Sequence, residues 1–161
     1  MFYISHRGNL DGPNPERENS PEYIDEALSK GYDVEIDVWH YPVNKDWVWL
    51  GHDEEEYLIP IEWLLERKDK LWVHCKNFKA LTNLVDTELR IFYHEKEQYT
   101  ILNNGLIWAH NIEEIDDKCI IPLLSRESVL EYNKTGFYGV CSDFIYECER
   151  KFNDRQNYKM D

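Results

Sequence analysis

The chain has 161 residues, of which 42% are hydrophobic and 14% aromatic, so residues 1–161 can form one domain that needs no disulfide for stability. Its 32 acidic and 18 basic residues give a net charge of −14, which repels phosphate backbones and argues against nucleic acid as a partner. No apolar run approaches the roughly 18 residues of a membrane span, and the first residues do not resemble a signal peptide. We therefore expect a cytoplasmic protein without integral membrane association; nothing in the composition indicates an oligomeric state.

Short apolar strands alternate with amphipathic helices along the chain. The first helix is typical: Ser20 is a favoured N-cap, Pro21 suits the first helical position, and Gly31 ends the helix. The predicted elements are a strand at 2–4, a helix at 21–30, strands at 34–39 and 47–50, a helix at 61–65, a strand at 71–73, a helix at 78–85, strands at 90–93, 106–109 and 119–123, a helix at 125–132 and a strand at 139–142.

This alternation predicts a parallel sheet. Seven parallel candidates and a hairpin strand favour a TIM-type barrel, although such barrels run to about 250 residues and segment 111–118 is too short for a full helix. We expect an α/β fold, a contracted or incomplete TIM-type (β/α) barrel with short parallel strands; an open α/β sheet is the alternative. The polar tail at about 147–161 should be a surface helix or frayed.

The four cysteines show neither a CxxC pair nor zinc-finger spacing. Three of them lie in apolar, strand-like runs, where a free cysteine behaves as a small hydrophobic residue. We expect all four to be reduced and structural: Cys75, Cys119, Cys141 and Cys148.

Histidines and carboxylates follow the ends of the predicted strands, where the active sites of parallel α/β folds lie. Taken singly, His94 and His110 are more typical of satisfied polar caps, but the whole set suits metal-assisted or acid–base chemistry. The histidines at such positions are His6, His52, His74, His94 and His110, and Glu35, Asp37, Lys76 and Asp143 are near strand ends too.

Glu35 and Asp37 are two residues apart on one face of a predicted strand, so both side chains can reach one hard cation. The alternative is an edge strand with a solvated acidic face. The opposite face is fully apolar, which favours burial of the strand. Two buried carboxylates without a cation would raise one another's pKa, and a bound divalent ion removes that cost.

Four motifs within the first 53 residues follow one another in a recognisable order. They resemble the signature of the glycerophosphodiester phosphodiesterase family, and the last predicted strand with Asp143 also resembles that family's last strand. The region from about 77 to 135 carries no such motif. The matching stretches are His6-Arg7-Gly8, Glu18-Asn19-Ser20, Gly31-Tyr32-Asp33-Val34-Glu35-Ile36-Asp37-Val38 and Gly51-His52-Asp53.

The resemblance implies a metal-dependent phosphodiester hydrolase acting on a small phosphodiester or a lipid headgroup. Glu35 and Asp37 would hold one divalent cation (Mg, Ca, Mn or Zn), His6 and His52 would be general acid and base, and Arg7 would clamp the phosphate. A related possibility is a lyase of the sphingomyelinase D type, which makes a cyclic phosphate. A different class is a non-catalytic module that binds a phosphate ligand. Residues implied in supporting roles are Glu18, Asn19, Asp53 and Asp143.

The third strand departs from the family pattern. The family has a metal-binding glutamate two residues before a lysine, whereas this chain has His74-Cys75-Lys76. Imidazole favours zinc, manganese or iron over magnesium and calcium. We expect strand 71–73 to lie beside strand 34–38, with His74 in reach of the same ion as Glu35 and Asp37, and Lys76 on the substrate phosphate.

Overall fold

The computed structural model describes residues 1–43 and 45–157, with the side chains of 154–157 left aside. This part of the chain forms five helices and ten strands joined in one sheet. In chain order the elements are β1 (Phe2–His6), α1 (Pro21–Ser29), β2 (Asp33–Trp39), β3 (Trp47–Leu50), β4 (Tyr57–Pro60), α2 (Ile61–Leu65), β5 (Leu71–Cys75), α3 (Phe78–Leu84), β6 (Arg90–Phe92), β7 (Tyr99–Ile101), β8 (Ile107–Ala109), β9 (Cys119–Pro122), α4 (Arg126–Glu131), β10 (Gly139–Ser142) and α5 (Ile145–Asn157).

The parallel strands follow the order β6-β5-β2-β1-β10-β9-β8. β3 and β4 extend β2 as an antiparallel hairpin, and β7 pairs antiparallel with β8. In the described part of the chain β6 and β8 share no backbone ladder, so the sheet does not close into a barrel and agrees with an open α/β sheet. The physical reason is that the chain between β6 and β8 forms a short hairpin strand instead of a helix and a further parallel strand.

Side chains nevertheless connect the two ends of the parallel series. The rings of Phe92 on β6 and Trp108 on β8 stack with centroids 4.6 Å apart. Asn103, in the turn before β8, accepts a hydrogen bond from the Ile91 amide at 3.0 Å and donates to the Leu89 carbonyl at 2.9 Å. Asn103 thus satisfies backbone groups of β6 and of the residue before it that a neighbouring strand would otherwise pair.

Side-chain caps fix the starts of three helices that the sequence predicts. The hydroxyl of Ser20 accepts from the Tyr23 amide at α1, and Asn77 accepts from the Ala80 amide at α3. Ser125 begins α4 with a reciprocal pair of bonds. Each cap satisfies an amide that the first helical turn leaves without a partner, so these boundaries follow from local sequence.

Two short strands and the last helix differ from the sequence expectation. β4 and β7 were not predicted, because segments of three or four residues carry too little periodicity. The segment from 147 belongs to α5, whose Ile145, Cys148 and Phe152 are buried. This helix packs on β1 and β10. The expected surface helix or frayed tail is therefore a docked helix as far as Asn157.

The four cysteines are free and buried, as the sequence analysis expects. In the described residues we find no helix with the length and apolarity that a membrane crossing requires.

Candidate functional site

The candidate site lies at the carboxyl ends of three adjacent parallel strands. β1 places His6 beside Glu35 of β2, and Asp37 of β2 is in register with His74 of β5. The predicted pairing of these strands is therefore observed. Glu35 and Asp37 are only 3% and 1% exposed, so this acidic face is buried and the solvated alternative does not apply.

Glu35, Asp37 and His74 form a compact set of potential metal ligands. One ligand atom from each residue lies within 4.8 Å of the other two. Oε2 of Glu35 is buried and has no hydrogen-bond partner in the described part of the chain, and Nε2 of His6 lies 3.8 Å from it. A buried carboxylate oxygen without a donor is costly unless a cation serves it. Two carboxylates and one imidazole fit a divalent ion, with the imidazole favouring a borderline metal such as Mn²⁺ or Zn²⁺.

The two carboxylates have opposite electrostatic environments. Burial and the neighbouring charge of Asp37 raise the pKa of Glu35 above its ordinary value. Burial also acts to raise the pKa of Asp37, but its contacts with His52 and His74 and the charge of Arg7 outweigh it and hold that pKa well below its usual range. Asp37 is therefore an ionised anchor, whereas the folded protein disfavours a charge on Glu35.

His6 is held by a second carboxylate behind it. Its Nδ1 lies 2.7 Å from Oδ1 of Asp143 at the end of β10, which directs Nε2 towards Glu35. Burial acts to lower the pKa of His6, but the bond to Asp143 and the charge of Glu35 raise it above the ordinary value. This arrangement fixes the ring and stabilises its protonated form.

Asn9 is a buried residue that the sequence analysis missed. Its amide nitrogen donates to Glu18 and to Asp143, at 2.8 Å in each case. It therefore links Asp143, which holds His6, to Glu18, which contacts Arg7. Its only sequence signal is its place directly after His6-Arg7-Gly8.

Arg7 is committed to contacts within the protein. Its guanidinium donates to Glu18 at 3.1 Å and to Nδ1 of His52 at 2.6 Å. Nε lies 2.9 Å from Oδ2 of Asp37, in the geometry of an ion pair. Of these contacts the one to His52 is the most exposed, since the His52 side chain is 38% accessible. An incoming anion can therefore compete for this arm of the guanidinium.

Lys76 adds a second cation beside His52, and Asp53 lies further out. The Lys76 ammonium is 3.3 Å from Nδ1 of His52 and 3.5 Å from Oδ1 of Asp37. The Asp53 side chain is 95% exposed and lies 3.6 Å from Nε2 of His52. The structure thus brings Lys76 into the predicted cluster and leaves Asp53 at its rim.

Two residues in the site adopt left-handed backbone conformations that are unusual for non-glycine residues. Arg7 has φ of 55° and Asn19 has φ of 61°. The Asn19 amide donates to the Arg7 carbonyl, and the Arg7 amide donates to the Glu35 carbonyl. The Asn19 side chain also exchanges two hydrogen bonds of 3.0 Å with Asp37. Strain of this kind persists where surrounding contacts determine the backbone, and here it aims both side chains at Asp37.

A small cavity of about 110 Å³ opens beside these residues. Its polar side is formed by the histidines of β1, the hairpin and β5 together with Arg7 and Glu35, and its other side is largely aromatic. The His94 ring stacks on His74 with centroids 4.4 Å apart, and the His110 ring is 4.6 Å from His94. Burial, with the charges of His74 and His110, lowers the pKa of His94 to about 4. His94 and His110 both line the cavity, and their expected role as polar caps is not tested by this position.

Comparison of the chain with protein-family models and with curated proteins finds no match.

Proposed function

We propose that this protein is a metal-dependent phosphodiester hydrolase of the glycerophosphodiester phosphodiesterase type. The observation that carries the proposal is the buried Oε2 of Glu35, which has no hydrogen-bond partner among the described residues. It lies next to Asp37 and His74, within a cluster that also contains two histidines and two cations. The substrate is a small phosphodiester or a lipid headgroup, because the adjoining cavity measures only about 110 Å³.

Glu35, Asp37 and His74 hold one divalent cation in this proposal. When bound, that cation supplies positive charge to the phosphate oxygens. Oε2 of Glu35, which has no hydrogen-bond partner in the described part of the chain, would be one of its ligands. Among the candidates Mg, Ca, Mn and Zn, the imidazole of His74 favours Mn and Zn.

The phosphate binds between Arg7 and Lys76. Both cations now face Nδ1 of His52, at 2.6 Å and 3.3 Å, and a phosphate oxygen is a stronger acceptor than an imidazole nitrogen. The incoming substrate therefore draws the two cations away from His52. Substrate binding thereby frees Nδ1 of His52 to accept a proton.

His52 and His6 then move the protons. Nδ1 of His52, freed from Arg7 and Lys76, accepts the proton of the attacking hydroxyl, which belongs to water or to the substrate itself. His6, held as imidazolium by Asp143, donates the proton on Nε2 to the leaving oxygen. Attack by a substrate hydroxyl gives a cyclic phosphate, which water opens in a second step.

The fold forms part of the proposal. We interpret the parallel series as an incomplete TIM-type barrel with its opening between β6 and β8. The strand order and the Phe92–Trp108 stack across the opening support this interpretation. In such barrels the catalytic residues lie at the carboxyl ends of the strands, where His6, Glu35 and His74 are found.

The test is cleavage of glycerophosphocholine and of bis(p-nitrophenyl) phosphate in Mn²⁺. We expect His6→Ala and His52→Ala each to lower the rate by at least ~10²-fold, because general acid–base catalysis contributes 10²–10⁴. Glu114→Gln, an exposed change, is the control and should retain the wild-type rate. Wild-type rates in both histidine variants, with folding intact, would show that the assignment is wrong.

A non-catalytic module that binds a phosphate ligand is the second candidate. It is favoured by the contacts of Asp37, whose oxygens already have Arg7, His52, His74 and Asn19 as partners and so do not require a metal. In that case calorimetry should detect phosphodiester binding in excess chelator, and no product should form. Turnover that depends on a divalent ion distinguishes the enzyme from the module.

A further inference from the structure

Two histidines outside the Glu35–Asp37–His74 set approach each other across the opening of the sheet. His94 follows β6 and His110 follows β8, the two strands that share no ladder in the described part of the chain. Both line the small cavity that also contains Glu35 and His74. They also line a larger open cavity of about 430 Å³ on the outer side, together with Glu95, Glu97 and Asn111.

The relative position of the two rings fits joint coordination of one metal ion. A Zn–N bond measures 2.0–2.1 Å and the ring centre lies about 1 Å further, so two imidazoles on one tetrahedral ion have centroids about 5 Å apart. The centroids of His94 and His110 are 4.6 Å apart and the ring planes are tilted by 57°. The observed ring spacing is therefore close to the spacing that a shared ion requires.

The rings of His74 and His94 have a geometry that does not suit a shared metal ion. His74 and His94 have centroids 4.4 Å apart, but their planes are within 6° of parallel. The nitrogen lone pairs lie in the ring planes, so two stacked rings direct them side by side and not towards one point. Of the two neighbouring rings, His110 is therefore the one whose tilt suits an ion shared with His94.

A polar atom of His94 also lacks a partner. Nδ1 of His94 is buried and makes no hydrogen bond in the described residues. Buried ring nitrogens are normally hydrogen-bonded or bound to metal, because an unserved polar atom costs free energy. Nδ1 of His94 is thus available to bind a metal ion.

We propose that His94 and His110 form a second metal site, separate from the site of Glu35, Asp37 and His74. Two neutral imidazoles select a borderline transition ion such as Zn²⁺ over Mg²⁺ or Ca²⁺. Water would fill the remaining positions; Glu95 and Glu97 line the same open cavity. A second ion here supplies positive charge to the aromatic side of the small cavity, opposite Arg7.

Calorimetric titration of the metal-free protein with Zn²⁺ tests this proposal, with elemental analysis after gel filtration as a second measure. We expect two equivalents in the wild type and one in His94→Phe, in His110→Phe and in Glu35→Gln. Phenylalanine retains the aromatic ring, so the stacks survive while the nitrogens are lost. Adding His94→Phe to Glu35→Gln should abolish binding, and Tyr99→Phe on the exposed face of β7 should still bind two.

The stoichiometries separate the second site from the proposed hydrolase site. One equivalent in the wild type that Glu35→Gln alone removes would overturn the second site and leave the first in place. Binding of two equivalents of Zn²⁺ by both His94→Phe and His110→Phe would also overturn the second site. Should a variant fail to fold, anomalous diffraction from wild-type crystals soaked in Zn²⁺ decides: a peak between the His94 and His110 rings supports the site, and its absence refutes it.

Discussion

Replacing Glu35 by glutamine should change the stability of the protein in opposite directions with and without metal. Without metal, the buried carboxylate lies beside Asp37, and its raised pKa means that folding disfavours its charge. Glutamine keeps the shape and removes the charge, so the metal-free variant should be more stable than the wild type. In the presence of metal, the variant lacks one ligand, so metal should raise its stability only slightly.

The size of both effects follows from the burial of the site. Glutamine keeps a polar atom at the position of Oε2, so the relief is only the extra cost of burying a charge without a partner, on the order of 1 kcal/mol. For a domain of this size each 1 kcal/mol shifts the melting temperature by about 2–4 °C. Metal at about 100 times its Kd stabilises the wild type by about 2.7 kcal/mol, or about 5–11 °C.

The assay is thermal unfolding of wild type and Glu35→Gln, first in excess chelator and then in Mn²⁺. The variant should melt at the higher temperature in chelator and at the lower temperature in Mn²⁺. Glu114→Gln, which removes an exposed carboxylate, should follow the wild type in both. The same order of wild type and variant in both conditions would refute the assignment of Glu35 as a ligand.

Three further changes test other parts of the structure. Asn103→Ala should lower the free energy of unfolding by about 1–3 kcal/mol in a denaturant titration, because its two side-chain hydrogen bonds to Leu89 and Ile91 are lost. Asn104→Ala in the same turn is the control and should lower it less. Equal effects of the two changes would contradict the role of Asn103 in holding β6. Asp143→Asn should lower the pKa of the imidazole to which it is bonded, measured by NMR titration, and an unchanged pKa contradicts the pairing. His74→Glu should shift metal-induced stabilisation towards Mg²⁺ and Ca²⁺ in thermal unfolding, and an unchanged preference would show that His74 is not a ligand.

The candidate site could largely be predicted because its residues sit on elements with strong local patterns. β2 alternates apolar and acidic side chains, so Glu35 and Asp37 had to share a face. The pairing of β5 beside β2 agrees with the tendency of consecutive parallel strands to be neighbours in a sheet. Asn9 could not be predicted, since its role depends on Asp143, 134 positions further along the chain.

The second half of the fold was harder to predict for physical reasons. β7 has three residues and no periodic pattern. It lies where the number of predicted parallel strands favours a helical connection. His94 and His110 approach each other across two strands that share no ladder in the described residues, and no local sequence signal encodes this contact. The helix α5 has a polar composition, and only its spacing of Ile145, Cys148 and Phe152 shows a buried face.

The pairing of β1 with β10 has a consequence for how the protein folds during synthesis. His6 and Asp143 are 137 positions apart, and Phe2 pairs in register with Gly139. Contacts of such sequence separation slow folding, because a long loop must close before they form. While β10 is still on the ribosome, β1 has an unpaired edge and His6 lacks the carboxylate that orients it. A nascent chain without β10 should therefore depend on chaperones, and truncation before residue 139 should give an insoluble product.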